Sequence, residues 1–191
     1  MIIKKINGKE IPQIKLERKK ATIADLDSLY NLQVETEKTG LKDSLGNPLF
    51  AAEPKHMIQE VLESEKGEIN LFYNNGELVC YYEFSVPKSS KALEIFSLDK
   101  FIQNIDYRKV GIAKSFVVAE KFRGNKLQNQ MINILELTAI NSNIEYIIST
   151  VHKENVYSYK NLLDAGYKDL TNGEPIQLIY GKRLLLFKIL K

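Results

Sequence analysis

Apolar positions recur along the chain with two periods, near 2 and near 3.6, and most segments between them are rich in turn formers. Ile14 to Lys20 alternates partially and reads as a strand. Thr22 can cap a helix over about residues 23–37, with Leu26, Leu29, Tyr30 and Gln33 along one side. Residues 38–53 carry Thr39-Gly40 and Gly46-Asn47-Pro48 and read as a loop. A second helix is expected from about Pro54 to Ser64, since proline is tolerated in a first helical turn. Ile69 to Tyr73 and Glu77 to Val86 flank Asn74-Asn75-Gly76, and Asn-Gly between two such runs signals a hairpin.

Residues 87–106 open with Pro87-Lys88-Ser89-Ser90 and hold a short helix starting near Ser97. Val110 to Ala119 follows as a strand, and Glu120 to Asn125 as a loop. Leu127, Met131, Ile134, Leu135 and Thr138 then mark a helix. Tyr146 to Val151 is a strand and Asn155 to Asp164 a helix, with Gly166 placed to end it. Ile176 to Tyr180 and Arg183 to Leu190 read as two strands meeting at Gly181. Strands interleaved with helices predict an α/β (α+β) fold, a mixed sheet covered by helices. The segment lengths fit a single domain over residues 1–191.

Composition narrows the class. The chain is 44% hydrophobic and 27% charged, enough to bury a core. No run approaches the ~20 apolar residues that cross a bilayer. Met1 to Ile6 lacks the long apolar run of a secretion signal, so a cytoplasmic protein is expected. The single cysteine, Cys80, lies in an apolar stretch and reads as a buried structural thiol. With His56 and His152 alone, a metal site is not expected. A net charge of +3 falls short of a nucleic-acid footprint. The basic cluster from Lys15 to Lys20 includes Glu17 and reads as a solvated strand face.

One segment carries chemistry, Phe116 to Met131. A buried strand (Phe116, Val117, Val118) runs into a tight loop that opens an amphipathic helix. Free N–H groups at a helix N-terminus bind anions without side chains. Arg123 can add charge and Gly124 lets the backbone turn closely around a ligand. Physics alone leaves two readings open, an anion site and an ordinary strand-loop-helix turn.

The segment resembles the acetyl-CoA motif of the GNAT superfamily, V-x-P-x-x-R-G-x-G-x-G/A. Val118, Phe122, Arg123, Gly124 and Leu127 stand where the motif expects them. Lys126 replaces the first glycine of the phosphate loop, and Gln128 the glycine or alanine after it. Thr150 to Asn155, then Ser158, then Ala165-Gly166-Tyr167, is similar to a second superfamily segment downstream. The resemblance spans about residues 14–190. It implies two parallel strands that splay apart, with acetyl-CoA as cosubstrate. Its diphosphate would lie on the Arg123-Gly124-Asn125-Lys126-Leu127-Gln128 loop. Its pantetheine arm would bond the backbone of Phe116 to Val118 and the side chain of Asn155, with Ser158 beside it.

Catalysis by direct attack of an amine is implied too, with a backbone N–H near Val118 polarising the thioester carbonyl. The tyrosine that many members carry seven residues after the asparagine is Leu162 here. Tyr159 becomes the candidate acid, with Tyr157 and Tyr180 behind it, and Glu83 the candidate base, ahead of Asp106 and Glu120. The alternative for Glu83 is a solvent-facing strand residue. Lys114 stands where many relatives carry an acid. Tyr81, Tyr82 and Phe84 form an aromatic hairpin face near the expected acceptor pocket. The resulting expectation is an N-acetyltransferase acting on a small-molecule or peptide amine, without nucleic-acid or membrane partners. Homodimers are common in the superfamily. The alternative, favoured by Lys126, Leu162 and Lys114, is a non-catalytic acyl-CoA binding domain on the same fold.

Overall fold

The computed structural model describes residues 1–178 and 181–190, the side chain of Asp99 excepted. They group into two compact units, residues 1–83 with 115–131, and 84–114 with 132–191.

The first unit opens on an antiparallel hairpin, β1 (Ile2–Ile6) and β2 (Lys9–Lys15). Asn7 and Gly8 turn it, with φ of 50° and 74°. Both central residues of that turn need positive φ, which Asn-Gly supplies at least cost. The strand expected over Ile14–Lys20 is thereby two strands, β2 and β3 (Glu17–Lys20), in different sheets. Leu16 separates them: it is buried between exposed neighbours, and its N–H donates to Met1 O at 2.9 Å. A helical turn at Ile23–Asp25 leads into α1 (Leu26–Thr39), which buries Leu29, Leu32 and Gln33. The Asp25 carboxylate accepts the N–H and the hydroxyl of Thr22 and pairs with Lys19 at 2.7 Å.

Pro54 precedes α2 (Lys55–Leu62) rather than lying inside its first turn. The expected hairpin is β4 (Gly67–Asn74) and β5 (Glu77–Ser85), turned by Asn75 (φ 49°) and Gly76 (φ 78°). Strand order in this unit is β3-β4-β5-β6, where β6 is Val110–Val118 and its last four residues belong here. From Val79 to Phe84 every residue of β5 is buried, so both strand faces are covered.

In the second unit the start of β6 runs parallel to β7 (Tyr146–Val151), from Val110↔Tyr146 to Ala113↔Ser149. The short helix α3 (Lys91–Glu94) and a turn at Leu98–Lys100 occupy the expected 87–106 connection. α4 (Leu127–Asn141) begins in the first unit and continues here. It is followed after β7 by α5 (Val156–Asp164). β8 (Lys168–Asp169), β9 (Ile176–Leu178) and β10 (Gly181–Ile189) close the chain. β10 is antiparallel to β7, β8 and β9, giving the order β6-β7-β10-β8. Gly111 is a packing glycine: an added Cβ would meet Phe84 Cε2, with Cζ at 2.7 Å. Gly166 (φ 87°) ends α5, as expected.

β6 is irregular past its midpoint. Its ladder with β7 ends at Ala113, where Ser149 Oγ donates to Ala113 O at 2.9 Å. Two residues on, Ser115 takes φ 52°, a left-handed conformation rare in a strand. β6 then continues to Val118 without β7 pairs.

Candidate acyl-CoA site

Beyond Ser115, successive peptide groups of β6 point to opposite edges, because strands alternate. Ala119 N–H donates to Val79 O of β5 at 2.9 Å. The N–H of Val118 therefore points away from β5. Val117 is buried, while Phe116 and Val118 are half-buried.

The chain next makes a helical turn at Glu120–Phe122, and the fully buried Phe122 ring anchors it. Gly124 follows with φ 85°, and Lys126 with φ 53°. Leu127 and Met131 bury the start of α4, whose first backbone bond runs from Gln130 N to Lys126 O. Lys126 thus occupies a left-handed position, which a glycine would hold without strain. A lysine holds it at a cost of about 1–2 kcal/mol. A Cβ built on Gly124 meets nothing within 4 Å, so the loop is open on that side. The first turn of α4 has N–H groups beyond the reach of intrahelical carbonyls and a positive dipole end.

The Arg123 guanidinium donates to Thr39 O (3.0 Å) and Oγ1 (3.2 Å), at the end of α1. A cation suits that helix terminus. Asn125 Oδ1 accepts the N–H groups of Lys4 and Lys5 at 2.7 and 2.9 Å. Its Nδ2 donates to Lys5 O and Phe122 O, both at 2.8 Å. Both side chains are thus engaged by protein partners. Gln128 is half-buried, and Lys126 is exposed.

A polar cleft of about 810 Å³ adjoins the loop, bounded by the Asn7-Gly8 turn, α1 and Ala119–Lys121. Glu35, Glu77, Glu120, Lys121 and Arg123 line it. Lys121 is already paired with Glu77 at 2.6 Å. More carboxylates than cations make it unsuited to a polyanion.

On β5, Glu83 is only 1% exposed, so the solvent-facing alternative does not apply. Tyr81 shares its strand face at i, i+2 spacing. Burial pushes the Tyr81 hydroxyl well above its ordinary pKa; Gln33 of α1 opposes this, and Glu53 and Glu83 reinforce it. Tyr81 and Tyr82 point to opposite faces and both are fully buried, so the three aromatics do not form the single face expected. The Tyr82 ring lies 6.2 Å from that of Phe72 and 6.3 Å from that of Phe116. Cys80 between these residues is buried, as expected, and burial raises its thiol pKa.

In the second unit Asn155 caps α5, its Oδ1 accepting the Ser158 N–H at 3.2 Å. Leu162 is fully buried, a core position. Tyr157 is 69% exposed. Tyr159 donates its hydroxyl to Asp169 Oδ2 at 3.1 Å, and burial together with that carboxylate raises its pKa. The same carboxylate accepts the N–H groups of Thr171 and Gly173. Asp106 is engaged by Arg108, Lys114 is half-buried and Glu120 is exposed. Tyr180 lies outside the described residues. Among the described residues no cluster of His, Cys, Asp and Glu could hold a metal ion, and no helix is long and apolar enough to cross a membrane.

Solved structures match the architecture along nearly its full length. A GNAT-family acetyltransferase from Streptococcus pneumoniae superposes with a TM-score of 0.65 at 15% identity, covering 93% of this chain and all of its own. The chain has the GNAT acetyltransferase fold. A ribosomal-protein-alanine N-acetyltransferase from Brucella melitensis shares this GNAT fold at a TM-score of 0.66 and 18% identity, covering 92% of this chain and 100% of its own. yncA from Salmonella typhimurium, solved with its cofactor acetyl-CoA, does so at 0.64 and 11% identity, with 93% and 95% covered. No family model and no curated protein matches the sequence. Within the GNAT fold, the N-terminal hairpin and its hold on Asn125 are features that sequence reasoning missed, although Asn7-Gly8 announced the turn.

Proposed function

We propose that this chain binds acetyl-CoA and transfers its acetyl group to an amine of a small molecule or peptide. The loop from Arg123 to Lys126 carries that reading. Two left-handed residues there present the open first turn of a 15-residue helix, on a GNAT fold. The first-turn N–H groups take the diphosphate, with the Lys126 ammonium beside them. Phe116 and Val118, past the last β7 partner, offer backbone groups to the pantetheine amides as an added strand would. Bound acetyl-CoA supplies the activated acetyl group. The Val118 N–H is the donor for its carbonyl oxygen, and Glu83 the base that receives the amine proton. The resemblance assigns Asn155 and Ser158 to the pantetheine arm.

A second reading, acyl-CoA binding without turnover, is favoured by one observation. Leu162 is buried where relatives carry the acid, and the Tyr159 hydroxyl is committed to Asp169. Calorimetry with acetyl-CoA, followed by thiol release across a panel of amines, separates the readings. Binding with thiol release supports transfer, binding alone supports the second reading, and no binding overturns both.

A further inference from the structure

We propose that the N-terminal hairpin is a clasp that sets the conformation of the 123–128 loop, with Asn125 as its positioning residue. The inference rests on the acetyl-CoA reading of that loop. Asn125 sits between the two left-handed residues, Gly124 at φ 85° and Lys126 at φ 53°. A lysine in that conformation persists only where its surroundings over-determine it. Here the surroundings are the backbone of β1. All four hydrogen bonds of the Asn125 amide are made, three of them to Lys4 and Lys5.

Gln130, one turn into α4, repeats the arrangement. Its Oε1 accepts Ile2 N–H at 2.8 Å, and its Nε2 donates to Ile2 O at 2.9 Å and Asn125 O at 3.1 Å. Asn7 N–H adds a bond to Lys121 O at 2.7 Å. The other ties on this loop are exposed: Arg123 donates to Thr39, and Lys121 pairs with Glu77 in an ion pair of a kind that contributes little. Three of the four Asn125 bonds are part-buried, and the amide holds Lys5 through both its N–H and its O. Its partners are main-chain groups 120 residues away, so the hairpin sequence can vary while the clasp stays.

Three measurements on the full chain decide this: acetyl-CoA affinity by calorimetry, melting temperature without ligand, and amide hydrogen exchange of residues 123–128. Asn125→Ala is expected to weaken acetyl-CoA about tenfold, because the loop must then be ordered on binding. It should also speed exchange across 123–128. In a Lys126→Gly background the loss should shrink to about twofold, since glycine takes positive φ unaided. Gln130→Ala should act in the same direction and serves if Asn125→Ala fails to fold. A lower melting temperature with unchanged affinity and unchanged loop exchange overturns the clasp. An equal loss in the Lys126→Gly background overturns it too. If the parent chain does not bind acetyl-CoA, the functional reading falls, and the exchange of residues 123–128 still decides the clasp.

Discussion

Replacing Lys126 by glycine tests the loop most directly, because strain and charge then pull in opposite directions. The left-handed φ of 53° costs a lysine about 1–2 kcal/mol. Glycine removes that cost but loses about 0.5–1 kcal/mol through the greater freedom of the unfolded chain. On central values the difference leaves Lys126→Gly more stable than the parent by about 0.75 kcal/mol. For a chain of this size that is a rise of roughly 1–4 °C in melting temperature. Acetyl-CoA affinity should move the other way. Lys126 is exposed, so its attraction to a bound phosphate is worth on the order of 1 kcal/mol, about fivefold in affinity. It should fade with salt as the Debye length shortens. Differential scanning fluorimetry of parent, Lys126→Gly and Lys126→Ala gives the strain, and calorimetry at two salt concentrations gives the charge. Alanine keeps the strain and loses the charge, so it should show the affinity loss with no gain in melting temperature. A glycine variant that melts no higher than the alanine variant refutes the strain argument. One that binds acetyl-CoA more tightly makes the lysine an obstruction.

Asn155→Ala removes the cap of α5 and should cost about 1 kcal/mol; a parallel loss of acetyl-CoA affinity in calorimetry would mark it as a ligand also, and unchanged affinity as a cap alone. Gly111→Ala drives a methyl into the Phe84 ring and should destabilise by about 1–3 kcal/mol in urea melts, whereas a neutral effect would show that the ring has room to move. Burial would raise the Asp25 carboxyl, but its bonds from Lys19 and Thr22 outweigh burial and hold it below its ordinary pKa. A depressed folded-state value means stability present above the ordinary carboxylate range and lost as pH falls through the folded value. Urea melts of Asp25→Ala against the parent should therefore differ by about 1 kcal/mol at pH 7 and converge below about pH 4. A gap that persists in acid would remove the charge from the explanation.

Where one face is buried and the other wet, or where an apolar run is bounded by turns, the elements were legible. β7 lies at Tyr146–Val151 as expected, and α5 starts one residue later than expected, with Asn155 as its cap. The same Asn-Gly rule that placed β4 and β5 applied to Asn7-Gly8. Its flanks hid the hairpin: Lys9, Glu10, Gln13 and Lys15 are exposed and Pro12 interrupts the run, so no apolar alternation marks the strand. At Glu83 only the solvent-facing alternative fails, for the opposite reason. Alternation predicts a wet face, and β5 has none. The loop itself was found through Arg123 and Gly124, but the work of its side chains was not. Asn125 bonds a strand at the far end of the sequence, and no local pattern announces a partner at that separation.

The burial of Cys80 has a practical corollary. With the lone thiol sealed inside β5 and its ionisation suppressed, a chromogenic disulfide reagent sees the sulfur only when the strand opens. Thiol-release assays on the native chain should therefore read the coenzyme against a low, slowly rising baseline. The slow colour that develops without substrate becomes a clock for the opening of the first unit.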